Sequence, residues 1–153
     1  MSLIYKSGDL FSTKDKAIAH GCNTMGVMGS GVAKIVKEKY PFAFNGYYTH
    51  FNKMVEEGNH HEFLGECVAT YKDGMFIFNL ITQNLIGNDG MKYVSYDAVD
   101  SAVKKMSLTM TAYDIQNVSI PKIGAGLGGG NWHIIAAILE ANLAPFTVTV
   151  WEL

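Results

Sequence analysis

Arginine is missing from this chain: all twelve basic residues are lysines, set against fourteen aspartates and glutamates. Arginine is the usual bidentate reader of guanine and the usual fork for phosphate. Its absence, with a formal net charge of −2, argues against a dedicated duplex-binding protein, which would carry a basic face and several arginines. Phosphate recognition would then fall to backbone N–H groups. Cysteine is scarce too. Cys22 and Cys67 fit no metal-ligand spacing and read as free thiols in a reducing cytoplasm. No apolar run approaches the roughly 18 residues of a membrane span. The N-terminus shows no basic segment followed by an apolar stretch and a small-residue cleavage site. The expectation is a cytoplasmic protein with no membrane partner and no strong intrinsic nucleic-acid binding.

What is present suits one folded unit spanning 1–153. Apolar residues make up 48% of the chain, enough for a core, and charged residues only 17%, too few for long disordered tails. Strands are expected over Ile4–Lys6 and Ala17–His20. A helix over Val32–Lys39 places Val32, Ile35 and Val36 on one face. Pro41 breaks or restarts it, and a second, aromatic-rich helix runs over Phe42–Glu57. Gly65–Tyr71 and Met75–Thr82 read as a hairpin around Lys72-Asp73-Gly74. Ser95 caps a helix over Tyr96–Tyr113, with Val99, Val103 and Met106 apolar. Val118–Ile120 is a strand, Asn131 caps a helix over Trp132–Asn142, and Phe146–Glu152 is the last strand. Alternating strands and helices with one hairpin predict an α/β fold: a mixed, largely parallel sheet with helices on both faces, a three-layer α/β/α sandwich.

Two glycine-rich stretches each follow a strand and open a helix. One runs from Gly21 to Gly31, the other from Ile123 to Asn131. Glycine lets a backbone approach a ligand closely, and a helix start supplies unpaired N–H groups and positive dipole. Two such loops at strand ends can clasp a pyrophosphate. Neither is a P-loop, since Gly-Lys-Ser/Thr is absent, and Gly26-x-x-Gly29-x-Gly31 has the wrong spacing for a dinucleotide fingerprint. His60-His61 reads as a solvated loop pair; no metal site is expected.

Four segments together resemble the macro-domain family. Gly8-Asp9-Leu10 is similar to its opening motif, and Ile18–Asn23 followed by Gly26–Ala33 to its first substrate loop. Ile120–Trp132 is similar to its second loop, and Tyr93–Val99 to phage and bacterial members that process ADP-ribose-1''-phosphate. The resemblance implies an ADP-ribose site needing no cofactor. Gly8, Asp9 and Leu10 would receive the adenine, with Asp9 accepting from its amino group. Gly21, Cys22, Asn23, Met28, Gly29, Ser30, Gly31, Val32 and Ala33 would form one wall. Ile123, Gly124, Ala125, Gly126, Leu127 and Gly128 would form the facing wall. Asn23 would contact the distal ribose, and His20 with Asn23 would be catalytic, His20 as a general acid or base. Tyr47, Tyr48, Tyr93 and Tyr96 are core or groove-lining, one of them a candidate to stack on adenine.

The implied activity is dephosphorylation of ADP-ribose-1''-phosphate to ADP-ribose. The alternatives are a non-catalytic ADP-ribose reader and a hydrolase acting on ADP-ribosylated protein or nucleic acid. Two departures count against the last. Where the family's deglycosylating branch carries a lysine and an aspartate, this chain has Gln83 and Gly128. Glutamine forms no lysyl adduct, and glycine is no base.

Overall fold

The computed structural model describes residues 3–84, 94–124 and 129–152. Its six strands are β1 (Ile4–Ser7), β2 (Ala17–Asn23), β3 (Cys67–Lys72), β4 (Met75–Gln83), β5 (Asn117–Pro121) and β6 (Thr147–Glu152). Four helices accompany them: α1 (Gly31–Lys39), α2 (Pro41–Glu56), α3 (Tyr96–Ala112) and α4 (Trp132–Asn142). The strands form one sheet in the order β1-β6-β5-β2-β4-β3. All neighbours are parallel except β3 with β4.

Side chains alternate across a strand, and here both sides are covered. Ala17 and Ala19 of β2 join Phe78, Leu80, Val118, Ile120, Val148 and Val150 beneath α3 and α4. Ile18 packs the other way, with Val36 of α1, Ala43 of α2 and Ile77. The three layers expected from the alternating pattern follow from this. The predicted caps form as well: Ser95 accepts from the Ala98 N–H and Asn131 from the His133 N–H. Val99, Val103 and Met106 are fully buried. The β3–β4 turn has Asp73 at φ 51° and Gly74 at φ 84°, the left-handed pair that a two-residue hairpin requires.

Two differences from the sequence reading bear on function. Strand β2 does not stop at His20. It continues through Gly21, Cys22 and Asn23, each paired with β4, and its register shifts only between Cys22 and Asn23. Glycine ends many strands, but Gly21 sits inside this one in a tight place: a Cβ there would lie 3.1 Å from Thr82 Oγ1. On α1, Ile35 does not share Val36's burial; it is 38% exposed.

Candidate functional site

The carboxyl ends of β2, β4, β5 and β6 open onto one crevice of about 720 Å³, within the range of small-ligand sites. Parallel α/β sheets place ligands at this end because loops and helix starts gather there. Asp9, Leu10 and Phe11 line it. Gly21–Asn23 and Val27–Ala33 form one wall, and Pro121–Gly124 faces them. The structure thus brings together Asp9, Leu10, Gly21, Cys22, Asn23, Met28, Gly29, Ser30, Gly31, Val32, Ala33, Ile123 and Gly124. Ala125, Gly126, Leu127 and Gly128, together with Tyr93, lie outside the described residues. Gly8 is not on the wall; its N–H donates to the Glu152 carbonyl, 2.7 Å away, and so ties the end of β1 to β6.

Backbone donors concentrate at the start of α1. Ser30 occupies the cap position in an extended conformation, without a side-chain cap bond. Lys34 N is the first to bond back, to Ser30 O at 3.3 Å. The N–H groups of Gly31, Val32 and Ala33 therefore stand at a positive helix end with no intrahelical acceptor. A Cβ placed on Gly29 would meet nothing within 4 Å, so the protein itself does not require glycine there. A ligand lying close against the backbone would.

Asp9 caps a turn at the crevice. Its Oδ1 accepts from Phe11 N at 2.9 Å, capping the turn Leu10–Ser12, and the residue lines the crevice. Asn23 is 7% exposed. Its oxygen accepts from Met25 N at 2.8 Å, and Nδ2 donates to Val27 O at 3.0 Å.

His20 is placed elsewhere, which corrects the expectation that it is a general acid or base. With β2 running on to Asn23, His20 falls mid-strand, fully buried between the sheet and α2. Its Nε2–H donates to Asn79 Oδ1 at 2.6 Å. Asn79 is held in that orientation because its Nδ2 donates to the carbonyls of Ala43 and Val68. Burial pulls the imidazole down to about 4, with the Asn79 bond acting the other way. It is neutral at physiological pH and does not line the crevice. Cys22 beside it is also buried, and burial pushes its thiol well above the ordinary range, with Cys67 adding to the effect. A thiol so placed is an apolar wall group and not a nucleophile.

Other side chains entered the wall without being foreseen. Phe11, Trp151 and Glu152 line it, as does Lys122, whose Nζ is 3.3 Å from Glu152 Oε1. Gln83, noted above only as a departure, lines it too. The signal for Gln83, Trp151 and Glu152 was their position at the ends of parallel strands. None of the described candidate tyrosines reaches the wall: Tyr47 is buried, Tyr48 is exposed on α2, and Tyr96 accepts from Asn131 N. Among the described residues the aromatic lining is Phe11 and Trp151. The histidine pair also divides. His60 Nε2 donates to the Thr24 carbonyl at 2.6 Å, while His61 is exposed. Among the described residues no group of three or more His, Cys, Asp and Glu is placed to hold a metal ion.

Comparison with known proteins gives the following. The family model described as Macro domain matches residues 19–139. An ADP-ribose 1''-phosphate phosphatase of Lodderomyces elongisporus is 31% identical, covering 92% of each chain. The human ADP-ribose glycohydrolase OARD1 is 26% identical over 99% of this chain and 91% of its own. A solved structure from Bacteroides thetaiotaomicron, described as of unknown function, superposes with a TM-score of 0.84 at 27% identity, covering 100% of this chain and 99% of that one.

Proposed function

The chain belongs to the macro-domain family, and on that premise we propose that it binds ADP-ribose in this crevice and dephosphorylates ADP-ribose-1''-phosphate. The observation that carries the reading is the start of α1. The residues that supply three free backbone N–H groups, and an unobstructed Gly29, line a crevice that Asp9, Leu10 and Phe11 also line. That lining suits a nucleotide diphosphate: base against Asp9 and the aromatic Phe11, phosphates on the helix start. Two relatives are named for chemistry on ADP-ribose, and the phosphatase is similar over nearly its whole length.

In the proposed reaction a water oxygen bonds to phosphorus and the bond from phosphorus to the 1'' oxygen breaks. The products are ADP-ribose with a free 1''-hydroxyl and inorganic phosphate, and the protons of the water are shared between them. The α1 start holds the diphosphate, Asn23 holds the distal ribose, and backbone N–H groups of the glycine loops stabilise the charge on the phosphoryl oxygens. His20 takes no proton, because it has no access to the crevice.

One observation favours a reader instead. Among the described residues the titratable groups on the wall are Asp9, Cys22, Lys122 and Glu152. Cys22 is buried, and Lys122 and Glu152 face each other. The test has two steps. Calorimetric titration should show ADP-ribose binding well above ADP and NAD; equal or absent binding sinks the proposal. Phosphate release from ADP-ribose-1''-phosphate should then be measured, and binding without release identifies a reader. ADP-ribosylated protein and DNA offered in parallel test the remaining hydrolase reading.

A further inference from the structure

The first loop has two parts. Its tip, Gly29–Gly31, is open, whereas its heel, Asn23–Gly26, is held from below. We propose that Tyr47 is a positioning residue that locks the Asn23 amide as a hydrogen-bond donor facing the crevice. The inference rests on the reading of the crevice as the ADP-ribose site.

Tyr47 comes from the middle of α2 and is fully buried among the rings of Phe44 and Phe63. It is not on the crevice wall, so it acts only through what it holds. Its hydroxyl accepts from Gly26 N at 3.0 Å. Its single proton has two acceptors within reach, the Asn23 carbonyl and Asn23 Oδ1, each 2.8 Å from the hydroxyl oxygen. Gly26 has φ 79°, and a Cβ there would lie 2.7 Å from Phe51 Cε2, so the heel can be neither bulkier nor differently wound. His60 pins the adjacent Thr24 carbonyl.

These bonds fix which end of the amide is which. The Asn23 oxygen faces two donors, Met25 N–H and the Tyr47 hydroxyl, and Nδ2 faces the Val27 carbonyl. A flipped amide would set N–H against N–H and C=O against C=O. The bound orientation uses one Nδ2 proton and leaves the second on a residue that lines the crevice. Asn23 therefore meets a ligand as a donor, suited to a sugar hydroxyl oxygen or a phosphoryl oxygen.

The experiment uses the full chain as wild type, Tyr47→Phe, Asn23→Ala, the Tyr47→Phe/Asn23→Ala double variant and Asn23→Asp. Amide exchange of Gly26 and the Asn23 side-chain NH2 signals are followed by NMR without ligand, and ADP-ribose is then titrated. Tyr47→Phe should expose the Gly26 amide to exchange and average the Asn23 signals. It should weaken ADP-ribose binding about tenfold, because binding must then bear the cost of ordering the freed Asn23 side chain. In the Asn23→Ala background the same change should cost less than about twofold, because a residue acting through Asn23 loses its effect once Asn23 is gone. Asn23→Asp keeps the acceptor and removes the donor, so it should bind more weakly than wild type while Gly26 stays protected. Multiplying effects in the double variant, an unaltered Gly26 and Asn23 in Tyr47→Phe, or wild-type affinity in Asn23→Asp would each overturn the proposal. Should wild type not bind ADP-ribose, the functional reading falls by itself. The ligand-free spectra then decide whether Tyr47 orients Asn23, and unaltered Tyr47→Phe spectra refute it.

Discussion

A side chain added at Gly29 would meet nothing within 4 Å, whereas one added at Gly130 would start 2.5 Å from Val94 Cγ1 and 2.8 Å from the Gly124 carbonyl oxygen. The two loops look alike in sequence, each a glycine cluster between a strand and a helix. In the first, the described tip glycines leave room in front of the backbone. In the second, Gly124 and Gly130 are closed against Val94 and Ile135, and the Gly130 N–H donates to the Gly124 carbonyl at 2.7 Å. Glycine marks absent volume in both places. In one the volume is open to a ligand, and in the other the protein fills it.

The largest expected effect tests how far the closed regime reaches beneath the first loop. Burial holds His20 near 4 in the folded chain, against an ordinary 6.5. Between those values the unfolded chain binds a proton that the folded chain refuses, so stability is level above pH 6.5 and falls as pH drops toward 4. The loss is about 3 kcal/mol, taking about 1.4 kcal/mol per unit. Denaturant unfolding from pH 7 to 4 should show this slope for wild type and a much flatter one for His20→Gln. An identical slope in both would mean His20 is not held neutral.

Next comes Gly130→Ala. Its Cβ would press on the Gly124 backbone, so stability should drop by about 1–3 kcal/mol, read as a lower denaturant midpoint. An unchanged midpoint would dissolve the contrast between the loops. Gly29→Ala should do the reverse: stability within about 0.5 kcal/mol of wild type, but ADP-ribose affinity down about tenfold, or about 1.4 kcal/mol. Full affinity would show that no ligand approaches that backbone. The smallest effect belongs to the Lys122–Glu152 pair. Both side chains are about two-fifths exposed, so Lys122→Met should change stability by less than about 1 kcal/mol. A several-fold change in calorimetric affinity would then report a direct role for the pair at the crevice.

Much of the fold was legible from local pattern. Val99, Val103 and Met106 recur at helical spacing and are all buried; Ser95 and Asn131 stand where caps belong and make the cap bonds. Asp73-Gly74 set the hairpin. Of the residues expected at the site, Asp9, the first loop and the described start of the second loop line one crevice. The exceptions share one cause. Gly21 suggested the end of a strand, but its pairing with Leu80 of β4 keeps it inside β2. Three more residues of strand move His20 from the rim to the interior. Ile35 was expected on α1's buried face, yet the crevice opens beside it.

By itself the sequence determined the order and type of the elements, their caps, and the two glycine loops that begin helices. Each of these depends on neighbours within a few residues, through backbone sterics, side-chain period and orphan N–H groups. Tertiary structure decided which glycines face open space, which titratable groups reach the crevice, and which way the Asn23 amide is turned. Those outcomes depend on what packs behind each residue: Asn79 and α2 behind His20, Tyr47 behind Asn23, Val94 and Ile135 behind Gly130. Of these partners only Ile135 is a near neighbour in the chain, close after Gly130; the others come from separate elements, and no local pattern announces the meeting.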